Sequence, residues 1–281
     1  MIYSSSLSHL IDGANNFGQK ELFQLSQSHL NLLTTCPRKF QNFYLDQLGL
    51  PQPPEQQERQ DLGARFHQLM QQRELGLPIA SLIQAEPKLQ SWFESFNQAP
   101  PEMLEGNRQS EYRLTLAFQG YLLIAVYDLL IQGDQQVQIL DWKTYSRPQN
   151  PSWLQQNWQT RLYLYILAEA SDYAPKQIRM TYWFAESKGK PSAEPRSLTF
   201  AYNSELHTQT HQELTQILEN LTRYLAIYRQ GGTFPQVEIE AGRCHGETSS
   251  CGFAIRCQRQ RENEVDNNPV NDIEAIQEIL L

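Results

Sequence analysis

The sequence predicts an α/β protein with a helical N-terminal portion and a cysteine-containing segment near the C-terminus. Residues 26–98 carry apolar side chains at helical spacing, and residues 111–144 contain three successive strand-like segments. A helix, two further strands and a long helix follow, and three of the four cysteines then lie within residues 244–257. A chain of 281 residues suits one large domain with an appendage.

The N-terminal portion consists of predicted helices. Ser26 or Ser28 caps a first helix that runs to about residue 48, and a second runs from about residue 60 to residue 75. Residues 51–57 between them have the composition of a linker, and residues 80–98 predict further helix. Residues 1–24 show no strong periodicity, so we expect a loose lead-in there.

The predicted strands begin after this helical portion. They cover residues 111–118, 121–131 and 137–144, followed by a helix over 152–170, strands over 178–185 and 196–202, and a helix over 205–230. Gly231 and Gly232 end that last helix, as glycine commonly does. This order of elements predicts an α/β domain with a helical N-terminal portion.

One predicted hairpin places two acids opposite each other. A turn centred between Asp134 and Gln135 would pair Asp128 with Asp141, with their β-carbon atoms about 4.5–5.5 Å apart on one face of the sheet. Lys143 lies two residues beyond Asp141 and therefore projects from the same face. Two carboxylates and a lysine thus converge within strands that are otherwise apolar.

This convergence indicates a cation site, because adjacent carboxylates repel each other unless a cation lies between them. Carboxylate ligands suit Mg²⁺ or Mn²⁺, and such an ion would polarise a phosphoryl oxygen and lower the pKa of a bound water. Lys143 would orient that water or neutralise charge that develops on the phosphate. The alternative is an Asp–Lys ion pair at a strand end, with Asp128 capping a turn.

The net charge of −8 argues against a nucleic-acid partner until its distribution is considered. Residues 262–281 hold six acids and no Lys or Arg, which leaves −2 for residues 1–261. We therefore predict a near-neutral domain over residues 25–261 and an acidic tail over residues 262–281. Neither a signal peptide nor an apolar run of the ~20 residues that a membrane helix needs is evident, so we expect a cytoplasmic protein without membrane contact.

Six short motifs follow one another along residues 25–260. They are LSQSHLNLLTTCPRKFQNFY (25–44), GARFHQLM (63–70), Asp128, DWKT (141–144), QTRLY (159–163) and CGFAIRCQR (251–259). In this order they resemble the motifs of the PD-(D/E)XK nuclease superfamily in its RecB-type branch, which includes the CRISPR-associated iron–sulfur exonucleases. The resemblance implies a restriction-endonuclease-like core, in which a central mixed sheet is flanked by helices.

The resemblance also implies a role for each site residue. Metal ligands would be the side chains of His67, Asp128 and Asp141 and the carbonyl of Trp142, and Lys143 would activate or position the water. Gln159 and Tyr163 lie four residues apart on one helix face and would orient Lys143 or the phosphate. The chain departs from the family pattern at Ala125, where glycine is common, and at Leu129, where arginine is common.

All four cysteines fall in the first and last parts of the resemblance: Cys36, and then Cys244, Cys251 and Cys257 at the spacing Cys-x6-Cys-x5-Cys. Relatives that carry a cluster have Cys-x2-Cys-x5-Cys, so Cys244 is displaced and Thr248 stands in the expected position. The resemblance implies a structural [4Fe-4S] cluster held by the four thiolates. A zinc site that includes His245, or four free thiols, are the alternatives.

The sequence therefore predicts a Mg²⁺- or Mn²⁺-dependent DNA nuclease, an exonuclease on single-stranded or end-bearing DNA, in DNA repair, recombination or CRISPR adaptation. The alternative is a non-catalytic nucleic-acid-binding or scaffold subunit of a helicase–nuclease complex that keeps the fold. The joint presence of the predicted metal ligands with Lys143 and Gln159 favours the enzyme. The chain has no Gly-x-x-x-x-Gly-Lys-Ser/Thr motif, so a helicase partner would be a separate chain.

Overall fold

The computed structural model of the chain describes residues 22–50, 53–186, 196–244 and 251–259. These residues form two compact units. The first unit contains residues 55–116 and the described part of 123–212, and the second contains the described parts of 22–54, 117–122 and 213–259. The lead-in predicted over 1–24, apart from residues 22–24, and the acidic tail predicted over 262–281 lie outside the described residues.

Helices and strands follow the predicted order from residue 26 onward, but strand β1 was not predicted and includes Phe23 and Gln24 of the expected loose lead-in. The helices are α1 (Gln27–Thr35), α2 (Pro37–Phe40), α3 (Pro54–Glu74), α4 (Ala80–Ala85), α5 (Pro87–Gln98), α6 (Ser152–Gln156), α7 (Trp158–Glu169) and α8 (Ser204–Arg229). The strands are β1 (Phe23–Leu25), β2 (Asn107–Phe118), β3 (Tyr121–Gln132), β4 (Val137–Ser146), β5 (Ile178–Glu186) and β6 (Ser197–Ala201). Within the described ranges, no helix is both long enough and apolar enough to cross a membrane.

The strands form one mixed sheet. Its order is β1-β3-β4-β5-β6, and β2 also pairs with β3. β3 and β4 are antiparallel, β4 and β5 are parallel, and β5 and β6 are antiparallel. The parallel pair requires a crossover between β4 and β5, which α6 and α7 supply. The chain therefore enters α6 and then α7 after the strand that carries Asp141 and Lys143.

One face of this sheet packs against α3 and α5 to form the main core. Phe66 and Leu69 of α3 meet Trp92 and Phe96 of α5 and the sheet residue Trp142, and all five are buried. Residues on a strand alternate between its two faces, so Asp141 and Lys143 are directed away from the face that Trp142 occupies. The core thus leaves the polar residues of β4 to the opposite face.

Several predicted helices are interrupted where the sequence contains proline or a capping residue. The helix predicted to run from Ser26 or Ser28 to about residue 48 stops at Thr35, because Cys36 is extended before Pro37, and a π-helical turn covers Gln41–Leu45. Pro87 likewise separates α4 from α5, and Asn157 separates α6 from α7. The linker predicted over 51–57 is shorter than expected, because α3 begins at Pro54. Proline is favoured at the start of a helix, where its missing N–H would have no partner.

Within the second unit, Arg38 and Gln41 fix the residues after Cys36 to the segment that follows α8. The Arg38 side chain donates to the Phe234 carbonyl at 2.7 Å, and its backbone N–H donates to the Pro235 carbonyl at 3.0 Å. Gln41 Oε1 accepts from the Phe234 N–H at 2.7 Å, and the rings of Phe40 and Phe234 stack at 6.1 Å. These contacts hold the neighbourhood of Cys36 in a defined position.

Candidate active site

The β3–β4 hairpin has the register that its turn predicts. Leu129 lies opposite Leu140 and Gln132 lies opposite Val137, so the next position along the hairpin brings Asp128 to Asp141. There the Trp142 backbone N–H donates to Asp128 Oδ2 at 2.6 Å. The Asp128 carboxylate thus accepts a hydrogen bond from the backbone of β4, which fixes the orientation of the carboxylate.

Asp141, Lys143 and Gln159 form a closed triangle of polar contacts. Lys143 Nζ lies 2.9 Å from Asp141 Oδ1 and donates to Gln159 Oε1 at 2.9 Å. The Gln159 side-chain amide in turn donates to Asp141 Oδ2 at 2.6 Å. All three side chains are buried, so their charges and dipoles interact in a medium that screens less than water.

Local structure explains how this triangle is held. Gln159 lies in the first turn of α7, where its N–H donates to the Asn157 capping side chain at 2.9 Å. Tyr182 of β5 lies beneath the lysine, with Lys143 Nζ 5.4 Å from the ring centroid. The β4–β5 register shifts between Lys143 and Ser146, so a bulge follows the lysine directly. Bulges of this kind commonly redirect side chains next to active sites.

Helix α3 contributes His67. Its Nδ1 lies 3.1 Å from Asp128 Oδ1, on the carboxylate oxygen that Trp142 does not occupy. Burial disfavours the charged ring, but the charge and hydrogen bond of Asp128, with the charge of Asp141, raise the pKa of His67 to about 9. Without a metal ion, the ring is therefore protonated at neutral pH and donates to Asp128.

Glu111 is a candidate site residue that the sequence reasoning missed. A ligand atom of Glu111 lies within 4.8 Å of ligand atoms of His67 and Asp128, the only such metal-ligand group among the described residues. Glu111 has a φ of 50°, a left-handed backbone conformation that is uncommon for residues other than glycine and often marks functional sites. Its neighbour Ser110 donates to the Asp128 carbonyl at 3.2 Å, which places this part of β2 beside Asp128.

A signal for Glu111 is present in the sequence. Gln119 and Gly120 form the turn between β2 and β3, both with positive φ, as the two-residue turns of hairpins often have. Counting outward from that turn pairs Glu111 with Asp128, just as counting from the next turn pairs Asp128 with Asp141. Three neighbouring strands thus each bring one acid to the same region.

The chain is assigned to a family by comparison with protein-family models. The model of the PD-(D/E)XK nuclease superfamily matches residues 24–258, most of the chain. The protein belongs to this superfamily. The site roles that the resemblance implies for Asp128, Asp141 and Lys143 of the nuclease stay predictions.

One of two similar solved structures supports the same fold. A presumed exonuclease from Eubacterium rectale is similar to the nuclease with a TM-score of 0.51 at 11% identity, covering 99% of this chain and 97% of that one. The protein SSO0001 gives a TM-score of 0.34 at 12% identity, covering 75% of this chain and 80% of that one. No curated protein sequence matches the chain. The predicted restriction-endonuclease-like α/β fold is confirmed by the first structure and by the mixed sheet.

The side chains of two predicted site residues of the nuclease, Tyr163 and Trp142, are buried in packing contacts. Tyr163 is buried, its ring packs edge-to-face on Tyr127 at 5.3 Å, and its carbonyl accepts from the Tyr127 hydroxyl at 3.0 Å. The indole of Trp142 lies in the core, and its backbone N–H binds Asp128. The roles predicted for the Tyr163 side chain and the Trp142 carbonyl stay predictions.

The four cysteines of the nuclease line one pocket in the second unit, together with Lys39, Arg243 and four other residues. Their sulfur atoms do not form a compact ligand group, because no three of them lie within 4.8 Å of one another. The Cys251 N–H donates to the Cys244 carbonyl at 2.9 Å. Burial, with smaller effects of Cys36 and Cys244, raises the pKa of the Cys257 thiol. Thr248 and His245 lie outside the described residues.

Proposed function

We propose that this nuclease hydrolyses phosphodiester bonds in DNA with Mg²⁺ or Mn²⁺, acting as an exonuclease on single-stranded or otherwise accessible ends. The observation that carries the proposal is the placement of the His67–Glu111–Asp128 donor group beside the Asp141–Lys143–Gln159 triangle, with Asp128 next to Asp141 on the hairpin. One group offers metal ligands and the other offers a lysine held for catalysis.

The donor set fits a divalent cation. His67, Glu111 and Asp128 would hold the ion through one nitrogen and carboxylate oxygens, and Asp141 would join them when it leaves its contact with Lys143. When bound, the ion supplies a polarised phosphoryl oxygen and a water of lowered pKa. His67 must lose its proton to become a ligand, because only the neutral ring has a lone pair to offer.

Lys143 and Gln159 have separate tasks in this proposal. The Lys143 ammonium would bind the phosphate or the attacking water and offset the negative charge that develops during hydrolysis. Gln159 contacts both Lys143 and Asp141, so it would keep the lysine aligned while the substrate enters. Gln159 is accordingly a positioning residue rather than a ligand.

Cleavage of end-labelled oligonucleotides tests the proposal. Wild-type protein should digest single strands only when Mg²⁺ or Mn²⁺ is present, and Asp141→Asn and Lys143→Ala should abolish cleavage without changing the circular dichroism spectrum. Asp134→Asn is the matched control, because Asp134 is an exposed acid in the turn of the same hairpin. If both site variants cleave like wild type, the proposal is wrong. If wild-type protein binds the strands but never cuts them, the non-catalytic binding module predicted as the alternative is correct.

We further propose that the cysteine pocket holds a [4Fe-4S] cluster. Four thiolates at one pocket are the ligands that such a cluster requires, and Lys39 and Arg243 would offset its negative charge. A single zinc ion would need the four sulfurs within about 4 Å of one another, which is closer than any three of them lie here. Anaerobic purification followed by iron, sulfide and zinc analysis decides between the cluster, zinc and free thiols.

The pathway is a separate part of the proposal. The resemblance to the RecB-type branch favours DNA repair, recombination or CRISPR adaptation, in which a nuclease acts on ends that another protein exposes. We therefore propose a separate helicase or adaptation protein as its partner. Co-purification of the tagged protein with its neighbours from the native host, repeated with Asp141→Asn, tests this association. Recovery of the chain alone in both cases would count against it.

A further inference from the structure

Trp153 is the exposed tryptophan of this chain. All five tryptophans lie in the described ranges, and four of them are at most 4% exposed, whereas Trp153 is 42% exposed. A single apolar residue at a surface is common and needs no explanation by itself. What distinguishes Trp153 is its position relative to the candidate active site.

Helix α6 holds Trp153 in a fixed place. At its start, Asn150 Oδ1 accepts from the Ser152 N–H at 3.0 Å and from the Ser152 hydroxyl at 2.6 Å. The next residue after the tryptophan, Leu154, is buried, and its N–H donates to the Pro151 carbonyl at 3.1 Å. The indole is therefore exposed on a rigid support rather than on a loose loop.

The same helix is joined to the catalytic triangle. The Thr160 hydroxyl donates to the Leu154 carbonyl at 2.5 Å and lies 2.8 Å from the Tyr182 hydroxyl. Thr160 follows Gln159 directly in α7, and Lys143 Nζ lies over the Tyr182 ring. One hydrogen bond thus joins Leu154, the residue next to Trp153, to Thr160, and a second joins Thr160 to Tyr182, the ring beneath Lys143.

The charge of this segment favours an anionic strand. Lys143 is paired with Asp141, and residues 144–168 after it contain Arg147 and Arg161 and no acid, in a chain whose net charge is −8. The Arg161 guanidinium lies 4.3 Å from the Trp158 ring centroid, so an arginine and a buried indole pack at the start of α7. A cationic segment with an exposed aromatic side chain is the combination that binds single-stranded nucleic acid.

We infer that Trp153 stacks against an unpaired base of the strand that is cut and thereby makes the site selective for single-stranded DNA. The inference rests on the proposed nuclease function, for which it names the residue that selects a single strand. In a duplex both faces of each internal base are covered by neighbouring base pairs, so the indole finds a face only on an unpaired strand. The stacking is independent of sequence, because every base has an aromatic face.

Kinetics of Trp153 variants test the inference. With a single-stranded oligonucleotide, Trp153→Ala should raise KM by about 5- to 100-fold and leave kcat within about twofold, the range expected for loss of one base stack. Trp153→Phe should retain most of the wild-type KM, and cleavage of a blunt duplex should not change. Leu75→Ala is the matched control, because Leu75 is an exposed apolar residue of the same unit outside the site.

A binding measurement separates this inference from the proposed function. In EDTA, a single strand should quench the tryptophan fluorescence of the wild-type protein, whereas an abasic strand of equal length should not. The quenching should be lost in Trp153→Phe. Any of three outcomes would overturn the inference. These are equal quenching by both strands, an unchanged KM in Trp153→Ala, and an equal loss of activity on single strands and duplex in that variant. If the protein shows the base-dependent quenching but does not cleave DNA, that result contradicts only the proposed nuclease function.

Discussion

The side-chain amide of Gln159 donates to Asp141 Oδ2 at 2.6 Å. Its oxygen accepts from Lys143 at the same time, so one side chain at the start of α7 bridges the acid and the lysine of β4. A glutamine suits this position because its amide offers both a donor and an acceptor without charge. Neither alanine nor leucine can replace both contacts.

Gln159→Ala should lower kcat by about 100-fold with little effect on KM for the oligonucleotide, because a misplaced catalytic group costs rate rather than binding. The measurement is steady-state cleavage of a fluorescent single strand at saturating metal. Gln68→Ala, at an exposed position of α3, should behave as wild type. A kcat unchanged in Gln159→Ala would show that the triangle needs no bridging amide.

Glu111→Gln should weaken metal binding by at least about 10-fold, because one of the candidate carboxylate ligands is lost. Activity should then need higher Mg²⁺ or Mn²⁺ and recover as the concentration is raised. Isothermal titration with Mn²⁺ measures the affinity directly. Glu105→Gln, at an exposed position before β2, is the control. Equal affinities in both variants would remove Glu111 from the ligand set.

His67 should make the stability of the metal-free protein depend on pH. Its pKa is raised from 6.5 to about 9 in the folded protein, so the folded state binds the proton more tightly than the unfolded state. The contribution is fully present below pH 6.5 and is lost as the pH rises through about 9. We expect the free energy of unfolding, measured with urea in EDTA, to fall by on the order of a few kcal/mol over this window.

His67→Gln is the control for this pH dependence. Glutamine does not titrate, so the free energy of unfolding of the variant should change less between these pH values.

Proton release on metal binding tests the protonation of His67 in a second way. At pH 7.5, Mn²⁺ should release protons into a weakly buffered solution from wild-type protein, and His67→Gln should release fewer. Equal proton release from the two proteins would mean that His67 is not a ligand.

Gly63 is a site where helix stability and activity should change in opposite directions. A β-carbon at this position would lie 3.3 Å from Thr144 Oγ1, which is tighter than ordinary packing. Gly63→Ala should favour the helix by about 1 kcal/mol, as alanine does, yet displace α3 next to His67 and lower kcat/KM by about 10-fold. Adding Thr144→Ala should restore activity because the hydroxyl is gone. Failure of the double variant to recover would place the defect elsewhere.

The sequence predicted most elements of the fold because their patterns are local. Alternation and apolar runs located β2 to β6, and helical spacing located α3, α5, α7 and α8. Helix interruptions at Pro37 and Pro87 are equally local, but the longer apolar periodicity conceals them. The π-helical turn over Gln41–Leu45 could not be predicted, because its apolar spacing does not distinguish it from an α-helix.

In the site, counting residues outward from a hairpin turn gives the observed strand register where the turn is short. The turn between Asp134 and Gln135 brings Asp128 to Asp141, and the β2–β3 turn would have found Glu111 by the same rule. The contacts of Gln159 and the bond from Trp142 N–H to Asp128 are tertiary, so no spacing in the chain reveals them. The four cysteines were placed at one pocket by the resemblance rather than by their spacing.

The hydrogen bond from Trp142 to Asp128 has a consequence for how the enzyme loses activity. The indole of Trp142 is buried against the Phe96 ring, with the centroids 5.6 Å apart, while the backbone N–H of Trp142 donates to the Asp128 carboxylate. The core and the candidate site thus share Trp142, so a change that loosens the packing of this residue also disturbs the orientation of Asp128. Thermal inactivation should therefore coincide with the unfolding transition, and a variant that merely loosens the core, such as Phe96→Leu, should lose heat resistance and turnover together.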